Sequence, residues 1–308
     1  MFADHAEQWQ RSAPDLVHVG LPEGRRLEPD EIQRIDIAVF SHDLWRAGQA
    51  GAFFRVLLDA PNLQWLHMFS AGTDTPVLQV LRDKGVRVTH SSGAAARPIA
   101  HSVILHVLSL CRNVRPWMLD QNAKRWLPQH HPDLEGRTMA VVGLGSIGTE
   151  VARIAPAFGI RVIGVRRSPT GDEPCETWAL SRLDELLPLV DDLVLTTPLN
   201  DDSQSLIGER ELALLKPGAH IVNVGRGAVI HEAALVAALQ AGQVGGAALD
   251  VFEVEPLPDD SPLWEMPNVI ITPHSSGSTD LAMRRATDIF TANLARFTAG
   301  EPMHNEMP

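Results

Sequence analysis

The chain has 308 residues, 33.6 kDa and 44% hydrophobic content, enough for two ordinary domains with full cores, which excludes disordered and fibrous classes. Acidic residues outnumber basic ones by 38 to 26, and the net charge of −12 excludes nucleic acid and anionic membrane as default partners. No run approaches the roughly 18 apolar residues of a membrane span. The N-terminal MFADHAEQWQRSAP lacks the apolar stretch of an export signal, and Cys111 and Cys175 stand far apart without a partner-rich cluster. These features predict a cytoplasmic chain with no disulfide framework and no metal site.

Short apolar, β-branched runs bounded by turn residues predict strands at 15–20, 35–40, 63–69 and 86–92, with helices at 53–60 and 75–84 between them. A long helical pattern follows at 98–112. Ile99, Val103, Leu105, Val107, Leu108 and Leu110 spread around much of its circumference, which predicts burial between domains or in a subunit interface. A second series places strands at 138–143, 161–166, 192–198, 219–225, 245–252 and 268–274. Its helices start at Ser146 and cover 180–190, 209–215 and 231–241; 252–268 reads as a loop and 280–298 as a closing helix. Alternation of this kind predicts an α/β fold of two parallel-sheet units of unequal size.

Residues 143–148, Gly-Leu-Gly-Ser-Ile-Gly, form a GxGxxG turn after a predicted strand and before a predicted helix. Gly143 permits the tight turn, Gly145 lets a pyrophosphate approach the backbone, and Gly148 lets helix and strand pack closely. The helix start at Ser146 and Ile147 offers N–H donors and a partial positive charge to the anion. A dinucleotide is the cofactor this predicts. At the end of the next strand an NAD site usually carries an acid for the ribose 2′-hydroxyl. Here Arg166, Arg167 and Ser168 follow Val165 with no carboxylate, which suits a 2′-phosphate. NADP(H) is therefore the expected cofactor, with NAD(H) the second dinucleotide the site could take.

The chain resembles the D-isomer-specific 2-hydroxyacid dehydrogenase family, of which glyoxylate and hydroxypyruvate reductases are members. The resemblance runs through FSAGTD (69–74), GLGSIG, VNVGRGAVI (222–230), ALDVFEVEPLP (248–258) and ITPHSSGST (271–279). It implies a discontinuous substrate domain (1–97 plus 278–308), an inserted Rossmann-like dinucleotide domain (98–277), and an active site in the interdomain cleft. It also implies a homodimer, a small 2-keto or 2-hydroxy acid substrate, and hydride transfer that yields the D-2-hydroxy acid.

Reducing a keto acid needs a cation for the carboxylate, an acid for the keto oxygen and a partner for that acid. Arg226, in a Gly-Arg-Gly turn after a strand, presents a planar fork. His274 is the expected proton donor, and Glu255 the group that favours its imidazolium and fixes its tautomer. Ser70, Ala71 and Gly72 offer backbone N–H groups to the substrate carboxylate. The resemblance adds Asp250 as a contact to the nicotinamide carboxamide. It places Thr197, Pro198, Ser203, Val224, Gly225 and Gly277 along the cofactor, together with His274.

The family often has Ala-Glu-His near the start of the long helix, where this chain has Ala100-His101-Ser102, so that glutamate's role has no counterpart here. Arg97 is either a second substrate contact or a solvated helix-start residue. Trp264 lines the pocket, from its own or a partner subunit, or belongs to the core. Two other activities remain to be weighed. A dinucleotide-binding co-repressor or sensor with little turnover is disfavoured by retention of Arg226, Glu255 and His274. A formate dehydrogenase is disfavoured by Glu255, since that activity goes with Gln there. A chain ending eight residues past Gly300 is also too short for the regulatory tail of some phosphoglycerate dehydrogenases.

Overall fold

The computed structural model describes residues 2–21, 26–41, 43–44 and 47–307. They form two compact units, Met1–Ala95 with Thr279–Pro308, and Ala96–Ser278. Among the described residues no helix is long and apolar enough to cross a membrane.

In the first unit, α1 (Phe2–Ser12), α2 (Pro29–Gln33), β1 (Ile37–Phe40), α3 (Ala50–Asp59), β2 (Trp65–Met68), α4 (Pro76–Asp83) and β3 (Arg87–His90) are joined by a C-terminal helix, Asp280–Thr298. The three strands pair in parallel in the order β1-β2-β3. All four residues of the central strand are buried, as expected of a parallel strand covered on both faces. Leu57, Leu66, Leu78, Leu81 and Val88 pack in one cluster; Trp65, Phe69, Phe290 and Leu294 pack in another. Trp65 stacks on Phe290 and Phe297, each at 5.2 Å between ring centroids, and donates its indole N–H to Thr89 Oγ1 at 2.8 Å.

His67 is fully buried in this unit. Its Nδ1 lies 2.7 Å from Thr89 Oγ1 and its Nε2 3.1 Å from Ser91 Oγ. Burial, with a smaller contribution from His90, pushes its pKa down to about 3, so the ring is neutral.

The strand expected at 15–20 does not form. Val17 is exposed, and β1 is the sheet edge, with no further strand paired to it among the described residues. The N-terminal helix was not foreseen. It is held by Trp9, whose ring packs edge-on to Phe290 and whose N–H donates to Thr291 Oγ1 at 2.9 Å.

The second unit contains α5 (Ala96–Cys111), α6 (Val114–Asn122), β4 (Thr138–Val142), α7 (Ser146–Ile154), β5 (Arg161–Arg166), β6 (Glu176–Ala179) and α8 (Leu183–Leu186). It continues with β7 (Asp192–Leu195), α9 (Glu209–Leu214), β8 (Ala219–Asn223), α10 (Glu232–Gln240), β9 (Val244–Leu249) and β10 (Val269–Ile271). Seven strands pair in parallel in the order β10-β9-β8-β7-β4-β5-β6. The order reverses between β4 and β7, and a crevice at such a switch point is where open α/β sheets bind ligands.

Two sequence expectations change here. The helix at 180–190 is broken into α8 between two 3-10 turns, the second of them containing Pro188, which has no N–H to continue the ladder. Helix α5 is buried within its own unit, against α7, β8 and β9, while Leu105 on its outer side stays exposed. A polar cluster also surrounds Cys111. Its ligand-type atoms and those of Asp192 and His220 lie within 4.8 Å of one another. Distant segments of sequence meet there, so spacing gave no sign of it. The cation at that cluster is Arg137, which donates to both Asp192 oxygens at 2.9 Å. Burial pushes the Cys111 thiol up to about 11.

Candidate active site

The glycine turn closes β4 onto α7. Gly143 has φ +100°, and its N–H donates to the Val165 carbonyl at 2.8 Å. A Cβ on Gly148 would lie 2.1 Å from the Gly143 carbonyl, so helix and turn touch backbone to backbone. Thr196 reinforces the contact by donating to the Gly143 carbonyl at 2.6 Å, a role that sequence reading missed because a Thr after a strand carries no distinctive pattern. A Cβ on Gly145 would meet nothing within 4 Å. Room is therefore left where an anion would approach, at the N-terminus of α7 with Ser146 and Ile147 in its first turn.

This turn forms one wall of a cavity of about 360 Å³ that also includes Val142, Val165, Arg166, Arg167, Ser168, Thr197 and Ser203. The Thr197 hydroxyl is buried with no hydrogen-bond partner among the described residues. A Cβ on Gly225 would come 2.7 Å from the Thr197 carbonyl, and Val224 donates its N–H to Leu195 at 3.1 Å. Ser203 turns inward. Its hydroxyl donates to the Pro198 carbonyl at 2.7 Å and accepts from the Asn200 N–H at 2.8 Å, which fixes the 198–203 turn. Open backbone at Gly145, the helix start and the unmet Thr197 hydroxyl together fit a dinucleotide.

The rim at the end of β5 is not free of carboxylates, contrary to the sequence expectation. Arg166 pairs with Glu173 at 3.1 Å, and Arg167 pairs with Asp202. Glu173 also accepts from the Thr170 and Gly171 N–H groups at 2.7 and 2.8 Å, which with the Thr170 hydroxyl holds its pKa down to about 2. Ser168 is exposed on the same rim.

Arg226 follows β8 in extended conformation, φ −140° and ψ 142°, with its carbonyl held by Asn223 Nδ2 at 3.0 Å. A Cβ on the next residue, Gly227, would overlap the Phe252 carbonyl carbon at 1.8 Å, so the arginine turn lies flat on the 252–253 backbone. Glu255, in that same loop, places Oε2 at 2.8 Å from His274 Nδ1 and takes the Phe252 N–H on Oε1 at 3.1 Å. Burial alone would raise its pKa. The His274 bond and charge, the Phe252 N–H and the Arg226 charge outweigh burial and hold it below the usual carboxylate range. The fold thus brings Arg226, Glu255 and His274 together.

His274 has φ +47°, and its N–H donates to the Asp250 carbonyl at 2.8 Å. The Asp250 carboxylate, expected to face the nicotinamide, is occupied by the turn itself. It accepts the Thr272 and Ser276 hydroxyls, each at 2.5 Å, and the Ser275 and Ser276 N–H groups at 3.0–3.2 Å. Gly277 follows directly, half-buried. Ser102, in the departure from the family pattern, donates to the Pro98 carbonyl at 3.2 Å and reaches the Ser276 carbonyl at 3.4 Å, while His101 points to solvent. Arg97 lies 3.8 Å from Glu150 on α7. Trp264 is partly exposed and donates to the Pro258 carbonyl at 2.9 Å.

In the first unit, Ser70, Ala71 and Gly72 form the turn after β2. The Ser70 carbonyl accepts the Ser91 N–H at 3.1 Å, and Ala71 is exposed.

Residues 104–276 match the family model described as D-isomer specific 2-hydroxyacid dehydrogenase, NAD binding domain. A glyoxylate reductase of Aeropyrum pernix is 34% identical over 280 residues, covering 84% of this chain and 83% of its own. A glyoxylate/hydroxypyruvate reductase B of Pectobacterium carotovorum is 35% identical over 256 residues, 81% of this chain and 80% of its own. Among solved structures, a D-isomer specific 2-hydroxyacid dehydrogenase from Xanthobacter autotrophicus Py2 in complex with NADPH and MES superposes with a TM-score of 0.81. It is 31% identical and covers 100% of this chain and 95% of that one.

Proposed function

The chain belongs to the D-isomer specific 2-hydroxyacid dehydrogenase family, and on that premise we propose that it reduces a small 2-keto acid, of the glyoxylate or hydroxypyruvate kind, to the D-2-hydroxy acid with NADP(H) preferred over NAD(H). The observation that carries the reading is the Glu255–His274 bond beside Arg226. Arg226 takes the substrate carboxylate through two parallel N–H bonds and polarises the neighbouring carbonyl. The turn of Ser70, Ala71 and Gly72 offers further N–H donors for a carboxylate.

His274, as the imidazolium, keeps its Nδ1–H in the hydrogen bond to Glu255 and transfers its Nε2 proton to the keto oxygen. Hydride for the carbonyl carbon is the chemistry a dinucleotide held at the glycine turn would supply. Glu255 keeps the imidazole ring oriented and offsets its positive charge before transfer. Asp250 holds the backbone of the turn on which His274 stands.

Arg167 and Ser168, with Arg166 behind them, support the NADP(H) preference, since guanidinium and hydroxyl donors suit a phosphate. A homodimer accords with the apolar side chains Met118, Leu119, Trp126 and Leu127, which lie exposed in and after α6. A reducing cytoplasm accords with the two free cysteines.

The test is a matrix of NADPH and NADH against glyoxylate, hydroxypyruvate, pyruvate, phenylpyruvate and oxaloacetate. Turnover is expected to be fastest with NADPH and one of the first two acids. Cofactor binding without oxidation on any acid would overturn the enzymatic reading, and equal kcat/KM for the two cofactors would overturn the preference.

A further inference from the structure

Two arginines end β5, and the fold treats them differently. Arg166 meets Glu173, whose carboxylate is anchored by the N–H groups of Thr170 and Gly171. Glu173 is thereby anchored in place, and its pairing offsets part of the Arg166 charge at the rim. Arg167 meets Asp202, and this pair is open: the side chains are 70% and 62% exposed. No backbone donor to the Asp202 carboxylate occurs among the described hydrogen bonds. The backbone that carries it is firm, because Asp202 N–H donates to Asn200 Oδ1 at 3.0 Å and Ser203 closes the turn. Both residues line the same cavity as the glycine turn.

We infer that Asp202 is a specificity-determining residue for the cofactor: its carboxylate and the ribose 2′-phosphate of NADPH are alternative partners of the Arg167 guanidinium. The inference rests on the reading of this cavity as the dinucleotide site. Exposed ion pairs are weak, whereas a dianionic phosphate takes a guanidinium fork through two charge-assisted bonds. Asp202 therefore swings away when a 2′-phosphate arrives and stays on Arg167 when the ribose carries only a hydroxyl. The carboxylate offsets part of the charge that would otherwise favour NADPH, so it narrows the discrimination between the two cofactors.

The experiment is a fluorescence titration of the full chain with NADPH, NADH, 2′,5′-ADP and 5′-ADP, for the parent, Asp202→Asn, Arg167→Gln and the double variant. Asp202→Asn is expected to tighten NADPH and 2′,5′-ADP about three- to tenfold while NADH and 5′-ADP change by less than about twofold. In the Arg167→Gln background the gain should vanish. The proposal is overturned if Asp202→Asn leaves NADPH unchanged or tightens NADPH and NADH equally. It is also overturned if the gain persists without Arg167, which would mean a general charge effect. The parent's own preference is read separately. A parent that binds NADH better, with an Arg167-dependent gain in Asp202→Asn, defeats the NADP(H) preference and leaves this inference standing. A parent that prefers NADPH, with a silent Asp202→Asn, does the reverse.

Discussion

Glu255 is held at both carboxylate oxygens, one 2.8 Å from His274 Nδ1 and the other 3.1 Å from the Phe252 nitrogen. It cannot drift from the imidazole without breaking a bond to its own loop. Its pKa lies below the usual carboxylate range, so it stays ionised through the neutral region. The Glu255 carboxylate is the charge partner of the imidazolium that reduction requires. In Glu255→Gln the shape of the bond survives and the charge does not. Reduction needs the protonated ring, so the alkaline limb of its pH–kcat/KM profile should move to lower pH. An unmoved limb would show that the carboxylate only positions the ring.

Arg226→Ala should nearly abolish turnover, and Arg226→Lys should retain little. The lysine keeps the charge and loses the planar fork. The loss should appear in kcat/KM by about a hundredfold or more, the scale of a removed transition-state contact. A lysine variant within a few-fold of the parent would show that charge alone suffices.

His67 makes the first unit acid-sensitive. Its pKa is depressed in the folded state, to about 3 against an ordinary 6.5, so the unfolded chain takes up the proton more readily. The stability it contributes is full above pH 6.5 and is lost as pH falls toward 3. The expected loss between pH 7 and pH 5 is about 2 kcal/mol. Burial also lowers the pKa of His90 in the same unit, which adds to the same slope. Urea unfolding at the two pH values should show His67→Gln less stable at pH 7 yet less pH-dependent. An equal slope in parent and variant would remove His67 as the cause.

The exposed apolar side chains of and after α6 should lie in a subunit contact. Trp126 is 92% exposed and Met118 59%. Covering such a patch is worth about 25 cal/mol per Å² of apolar surface. Sedimentation should show a dimer in the parent and a shift toward monomer in the double variant Met118→Asp with Trp126→Asp. A parent that sediments as a monomer would leave the patch without this explanation.

Strands and helices were legible where local pattern and tertiary need agree. VRVTHSS and AHIVNVG alternate or run apolar between turn residues, and both form parallel strands. DLVHVG has the same local pattern and no strand beside it, which sequence cannot reveal. Arg226, Glu255 and His274 were legible as candidates because they stand in the GRG, FEVEP and TPH segments that carry the family resemblance. Their mutual distances were not, since 48 positions of chain separate Arg226 from His274. The acids at the β5 rim stayed hidden for a related reason. Glu173 comes from a turn with no regular pattern, and Asp202 belongs to a loop after a different strand.

The left-handed backbone at His274, φ +47°, decides how its chemistry is best removed. Alanine tolerates that region poorly, whereas Asn populates it more readily. A dead His274→Ala enzyme would therefore confound a missing proton with a relaxed turn, pulling on the Asp250 carbonyl that receives the His274 N–H. Asn at this position keeps the local twist and deletes only the titrating ring, so any stability difference between the two variants measures conformational strain, and their shared inactivity measures proton transfer.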